Sequence, residues 1–243
     1  MRLKRSYIGI EGVGPTTERT LWEQGARTWD EFDPSLVGST TADRIESFIE
    51  RARPRLRAGD SAFFERALPS DERWRLYEDF REEACFLDIE TTGLSQSSDD
   101  VTCVSFHRDG ETTTLVRGDD LSRENLRAQL EAPLLVTFNG ARFDVPFLEE
   151  SFDLSIDRPH LDLLYPCRRV GLTGGLKAIE PAVGVERDRS DLSGRDAVRL
   201  WREHERGVDG SLETLVSYNR EDTVNLRTVA DRTVERLDAD VLP

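Results

Sequence analysis

The run Ala84-Cys85-Phe86-Leu87-Asp88-Ile89-Glu90-Thr91-Thr92-Gly93 is apolar and β-compatible from Ala84 to Ile89 except at Asp88, and it stops at the breaker pair Thr92-Gly93. Unbroken apolar runs of this length mark a strand buried on both faces. Side chains alternate along a strand, so Asp88 and Glu90 point to the same face at its end. Two carboxylates at one spot repel, and burying them without compensation is expensive. This strand end is therefore either solvated or built around a cation.

The pattern on both sides of this run sets the architecture. Downstream, residues 101–108 and 111–117 predict a hairpin joined by Asp109-Gly110. Residues 122–131 predict a helix, 134–138 a second buried strand ending at Asn139-Gly140, 141–151 a helix despite Pro146, and 160–164 a fifth strand. Helices follow over 176–183, 191–205 and 210–237, the last with Leu215, Asn219, Asp222, Thr223 and Leu226 along one side. A hairpin followed by alternating helices and strands implies an α/β domain over 84–243, with a mixed five-stranded sheet flanked by helices. Upstream, Pro15 opens a helix over 16–23, and Ser39 and Thr40 cap one carrying Ile45, Phe48, Ile49 and Ala52. Ser70 opens another, whose Trp74, Tyr77 and Phe80 read as core. Residues 1–83 are thus expected to form a small all-α domain.

At 243 residues the chain is long enough to bury a core without metal or disulfide staples. Cys85, Cys103 and Cys167 are odd in number and form no CxxC pair, which predicts reduced thiols. The N-terminus lacks the apolar stretch of a signal peptide and no run is long enough to span a bilayer, so a cytoplasmic chain without membrane contact is expected. The 33 basic residues stand against 48 acidic ones, a net charge of −15, and only Lys4 and Lys177 are lysines. An acidic, lysine-poor surface predicts solubility in concentrated salt, hence a halophilic host; an ordinary acidic cytosolic protein is the alternative.

Further acids recur at strand ends and on helices. Asp144 follows the strand at 134–138 through Asn139-Gly140 and falls in the first turn of the next helix. Tyr218 and Asp222 are four apart, which on a helix puts phenol and carboxylate on one face. Singly, each acid reads as a surface or strand-end charge and Tyr218 as a core aromatic. Together, Asp88, Glu90, Asp144 and Asp222 form the all-oxygen set that hard divalent cations require, and they predict a site for two such ions, Mg2+ or Mn2+.

Phe86-Leu87-Asp88-Ile89-Glu90-Thr91-Thr92-Gly93, then Asn139-Gly140 through Phe143-Asp144, then Tyr218 to Asp222, resemble in order the three exonuclease motifs of the DEDDy branch of the DEDD exonucleases. The likeness is closer to its YprB-type, ribonuclease H-like members, which share Leu176-Lys177 before Glu180, and it covers roughly residues 84 to 237. The resemblance implies a ribonuclease H-like fold and metal-dependent trimming of nucleic acid from a 3′ end. It makes Asp88, Glu90, Asp144 and Asp222 the metal ligands and Tyr218 the residue that orients the attacking water. Asp162 is either an outer acid of that site or a strand-end charge.

Ile10-Glu11-Gly12-Val13-Gly14-Pro15 resembles the hairpin of a helix-hairpin-helix module. Backbone N–H groups at Gly12, Val13 and Gly14 would then meet phosphate at a helix N-terminus; a simple turn or a protein contact is the alternative. Thr91, Asn139 and Phe143, beside the acids, are the other expected nucleic-acid contacts, with Phe143 or Phe147 stacking on a base or packing in the core. Arg51, Arg53, Arg55 and Arg57 alternate as a solvated linker or a phosphate contact. The expected partner is DNA or RNA with a single-stranded 3′ end. A non-catalytic nucleic-acid-binding adaptor and a structure-selective endonuclease are the competing readings.

Overall fold

In the computed structural model, which describes residues 1–189 and 191–242, the run around Asp88 forms β1 (Cys85–Thr91) at the centre of a sheet. β2 (Val101–Arg108) pairs antiparallel with β1, and β3 (Glu111–Val116) antiparallel with β2. The hairpin turn takes positive φ at Asp109 and Gly110, the conformation this dipeptide tolerates best. β4 (Leu135–Thr137) and β5 (His160–Asp162) add in parallel on the other side, giving the order β3-β2-β1-β4-β5. This is the mixed five-stranded sheet expected from the sequence.

Four helices precede the sheet: α1 (Pro15–Glu23), α2 (Ser39–Arg57), α3 (Ser61–Ala67) and α4 (Tyr77–Phe80). α5 (Arg123–Gln129) and α6 (Asp144–Phe152) are threaded between strands. α7 (Leu164–Arg169), α8 (Leu176–Ile179), α9 (Gly194–Glu205) and α10 (Ser211–Val241) follow β5. The period-two alternation of β1 sorts the core. Cys85, Leu87 and Ile89 pack with Leu126, Phe147 and Leu148 of α5 and α6. Phe86 joins Val136, Leu161 and the α10 residues Leu226, Val229 and Val234 on the opposite face. Tyr7, Trp22, Trp29, Phe64 and Trp74 belong to that same cluster, so the core of the N-terminal helical region runs without a break onto the sheet.

Buried charge pins this junction. Glu18 on α1 accepts from the Tyr7 and Ile8 amides at 2.6 and 3.0 Å and from Arg75 at 2.9 Å. Arg75 also bonds Glu72 at 2.6 Å, and Arg169 of α7 reaches Glu72 at 2.7 Å. The three cysteines are buried and free, and among the described residues no helix is long and apolar enough to cross a membrane.

Several elements differ from expectation for identifiable reasons. The helix predicted from Ser70 is a 3-10 helix (Ser70–Leu76) running into α4. Of its apolar stripe only Trp74 lies in the 3-10 helix; Tyr77 and Phe80 belong to α4, and all three are buried as expected. The helix predicted at 141 starts at Asp144, because Asn139 adopts φ 63° and a Cβ on Gly140 would run into the Thr137 side chain. Pro146 falls in the first turn of α6, where its missing N–H has no intrahelical partner to lose. The fifth strand has three residues, since Asp162 accepts from the Leu164 amide at 3.0 Å and α7 begins at once. The arginines 51–57 form no linker: α2 continues through Pro54, with Arg53 paired to Asp30 and Arg55 to Asp60. α3 and α7 have no counterpart in the sequence reading.

Candidate metal centre

β1 carries Asp88 and Glu90 to its end on the side against which α10 packs. On α10, Tyr218, Asn219 and Asp222 lie within one turn and are all buried. Asn219 Nδ2 donates to Asp88 Oδ2 at 2.7 Å, tying helix to strand at the site. One carboxylate oxygen each from Asp88, Glu90 and Asp222 lie within 4.8 Å of one another. Asp144 opens α6 and is buried just outside this trio, close enough that its charge acts on both Asp88 and Glu90.

The turn that delivers Asp144 is held by a carboxylate. Asp162 accepts from the backbone amides of Asn139 at 2.7 Å, Ala141 at 3.1 Å and Leu164 at 3.0 Å. It is thus a buried cap at the end of β5, outside the three clustered acids but near enough that its charge acts on Asp144. Asn139 contributes its backbone to this turn, in the left-handed region.

Crowding of largely buried acids dominates the electrostatics. Burial, then repulsion from Asp222, Asp144 and Glu90, pushes the Asp88 carboxyl well up, and Glu90 responds in the same way. Burial pushes Asp144 up to about 7, with the backbone amides of Asp144 and Ile89 opposing and Asp162 adding to the rise. Asp222 is also raised by burial, against the pull of Arg187. Burial and then the charges of Asp222, Glu90 and Asp88 push the Tyr218 phenol up, so it stays protonated at neutral pH.

Two cations approach this cluster from the segment after β5. Arg187 forms ion pairs with Asp222 and with the fully buried Glu180, which also accepts from Asn225 at 2.9 Å. Lys177 Nζ lies 4.6 Å from the centre of the Tyr218 ring, has no hydrogen-bond partner among the described residues, and favours the ionised form of Glu90. Arg187 sits in an irregular charge-rich stretch, Glu186-Arg187-Asp188-Arg189, with no periodicity to single it out. Asn219 was legible only as a residue on the inner side of α10.

A cavity of about 670 Å3 opens beside Glu90, lined by Thr91, Leu94, Phe143, Ser193 and Arg195 among others. Leu94 is 86% exposed, and the sequence reading did not single it out. Thr91 donates its hydroxyl to the Gly93 carbonyl at 2.5 Å. Phe147 is fully buried, which selects core packing for it, whereas Phe143 lines the cavity. Gly12, Val13 and Gly14 lie apart from this cavity, at the start of α1. There the Val13 side chain is buried and its N–H donates to the Ile10 carbonyl at 2.9 Å. The amides of Gly12 and Gly14 find no acceptor among the described residues.

Divalent cations fit this donor set. It offers only oxygen ligands, and its four carboxylates are all raised despite the charges of Arg187 and Lys177. A sequence model described as the RNase_H superfamily matches residues 85–234, from the start of β1 far into α10. The chain belongs to the RNase_H superfamily.

The matched segment contains the whole superfamily sheet and all four acids. Solved structures similar to this RNase_H-superfamily chain include one described as the apo form of a nuclease, at 19% identity over 71% of this chain and 79% of that one, TM-score 0.49. Another is Brucella melitensis NrnC with bound Mg2+, at 20% identity over 68% and 78% of the two chains, TM-score 0.47. A third is the family B DNA polymerase from the hyperthermophilic archaeon Pyrobaculum calidifontis, at 18% identity over 59% of this chain and 24% of that one, TM-score 0.45. No curated protein matches the sequence.

Proposed function

We infer that the protein is a metal-dependent 3′-5′ exonuclease, hydrolysing phosphodiester bonds of a nucleic acid with a single-stranded 3′ end. The observation that carries this reading is the convergence of the Asp88, Glu90 and Asp222 carboxylates, from a strand and a distant helix, with Asp144 beside them. These four residues would hold two Mg2+ or Mn2+ ions, which when bound supply Lewis-acid stabilisation of phosphate charge and a water of lowered pKa. The family membership supports the fold side of the reading; the 3′ polarity rests on the order of the motifs ending in Tyr218 and Asp222.

The chain's own groups then have definite tasks. Tyr218 keeps its proton, so it acts as a hydrogen-bond donor or acceptor that orients the attacking water, not as a base. Asn219 holds Asp88 in place. Arg187 balances Asp222 and Glu180. The cavity beside Glu90 receives the terminal nucleotide, with Thr91 and Phe143 as its contacts.

The test uses matched DNA and RNA oligonucleotides, 5′-labelled, together with a circular strand, titrated with Mg2+ or Mn2+. A ladder shortening from the 3′ end, an intact circle and loss of activity in Asp88→Asn are expected. A cut circle would make the protein an endonuclease. Strand binding with no metal-dependent hydrolysis would make it an adaptor.

A further inference from the structure

Glu180 is fully buried yet stands outside the four clustered acids. It opens the 3-10 turn that follows α8 (Glu180–Val183), a place where an unpaired carboxylate is expensive. Both of its oxygens are engaged. Oε2 accepts from Arg187 Nε, and Oε1 accepts from Arg187 Nη2 at 3.0 Å and from Asn225 Nδ2 at 2.9 Å. Two parallel N–H donors on one carboxylate fix the plane of a guanidinium, which a single contact does not.

The backbone around Arg187 is held as well. The Val185 amide donates to the Glu180 carbonyl at 2.9 Å, and Glu221 on α10 accepts from the amides of Asp188 at 2.6 Å and Arg189 at 3.3 Å. The Arg187 side chain is 6% exposed, so its direction is set at both ends and it has little room to swing. What it points at is Asp222. Nη2 also donates to Asp222 Oδ1, while Asp222 Oδ2 accepts from no group among the described residues. Asp88 is held in the same manner, with Asn219 on Oδ2 and no donor on Oδ1 among the described residues. A carboxylate gripped by one oxygen presents the other in a fixed direction, and losing an outer partner of this kind typically weakens metal binding by about 10–100-fold.

We propose that Glu180, Asn225 and Arg187 form a buried brace that positions Asp222 for a divalent cation, with Arg187 as the positioning residue and Glu180 as the anchor that aims it. The brace rests on the reading of Asp222 as a metal ligand. Charge alone does not suffice for it. Lysine at position 187 keeps the charge but has no planar fork with which to bond Glu180 twice and Asp222 as well. The opposite role, a resident cation that a metal must displace from Asp222, predicts the opposite sign: removing the guanidinium would then tighten metal binding.

The experiment titrates the full chain with Mn2+ alone, without substrate, and reads bound metal from the loss of the free-ion EPR signal. Wild type is compared with Arg187→Lys, Arg187→Gln, Glu180→Gln and the double variant Glu180→Gln/Arg187→Gln, and Asp222→Asn serves as the reference for loss of the ligand itself. Near-UV circular dichroism checks the fold of each. The double variant leaves no unpaired charge at position 180, so it carries the test if Arg187→Gln does not fold. Arg187→Lys, Arg187→Gln and the double variant should each weaken Mn2+ binding by about tenfold or more, and Glu180→Gln, which keeps the guanidinium but loosens its aim, should weaken it less. Wild-type affinity in Arg187→Lys, or in the folded double variant, overturns the brace. Tighter binding in Arg187→Gln or the double variant overturns it too and makes Arg187 a competitor of the metal. In those cases wild type still binds Mn2+ and Asp222→Asn still weakens it, so the metal-centre reading stands. If wild type binds no Mn2+, or Asp222→Asn binds it as wild type does, Asp222 is no ligand and both readings fall.

Discussion

Asp144→Asn should make the metal-free protein more stable while it abolishes hydrolysis. Asp144 is buried, and its carboxyl is pushed up to about 7 from an ordinary aspartate value near 4. A carboxyl raised in the folded state binds more protons than in the unfolded chain, so it favours folding below its unfolded pKa. That contribution is lost as pH rises through about 7. At pH 8 the ionised Asp144 carries a penalty of roughly 4 kcal/mol, at about 1.4 kcal/mol per pH unit. In a chain of this length that is worth about 10 °C in Tm. Melting curves in EDTA from pH 4 to 8 should show the variant and wild type close together at pH 4 and the variant progressively higher up to about pH 7, where the difference levels off. Saturating Mn2+ should raise wild-type Tm at pH 8, by several degrees at a hundred times its Kd, and raise that of the variant less. A variant that melts at or below wild type at pH 8, with a parallel pH dependence, would refute the account of crowded, uncompensated acids.

Tyr218→Phe should fold normally and lower turnover on the order of 100-fold with little change in strand affinity, since it removes only the hydroxyl; unchanged turnover would remove Tyr218 from the mechanism. Arg75→Met leaves Glu18 buried without its guanidinium partner and should destabilise the protein by about 3–5 kcal/mol in urea titration, whereas Arg55→Met at an exposed pair should change it by less than about 1 kcal/mol. A Tm that rises as KCl goes from 0.1 to 2 M would match the acidic, lysine-poor surface; a falling Tm would contradict the salt-adapted reading.

Where local periodicity specifies structure, residues could be read directly. The pairing of Asp88 with Glu90 on one face follows from the alternation of β1 alone, and the turn at Asp109-Gly110 from the positive φ these residues accept. Tyr218 and Asp222 share a side of α10 because four residues make one helical turn. Asp162 is different. Its chain position, at the end of a short apolar run, is equally consistent with solvent exposure, and only the fold of the 139–141 turn around it converts it into a cap. Likewise the arginines 51–57 alternate in sequence with a strand-like period, but α2 winds them around a helix and ties two of them to Asp30 and Asp60.

The sequence by itself determined the strands, the hairpin and most of the helices, together with the side of β1 or α10 on which Asp88, Glu90 and Asp222 lie, because these depend on interactions within a turn or between neighbouring residues. It was the tertiary structure that decided how the acids meet. Packing of α10 across β1 brings Asp222 to Asp88 and Glu90, and the loop after α8 brings Arg187 to Asp222. Such contacts are fixed by burial of whole apolar faces, with Leu226, Val229 and Val234 against the sheet, and no residue near Asp88 in the chain encodes which distant carboxylate will arrive.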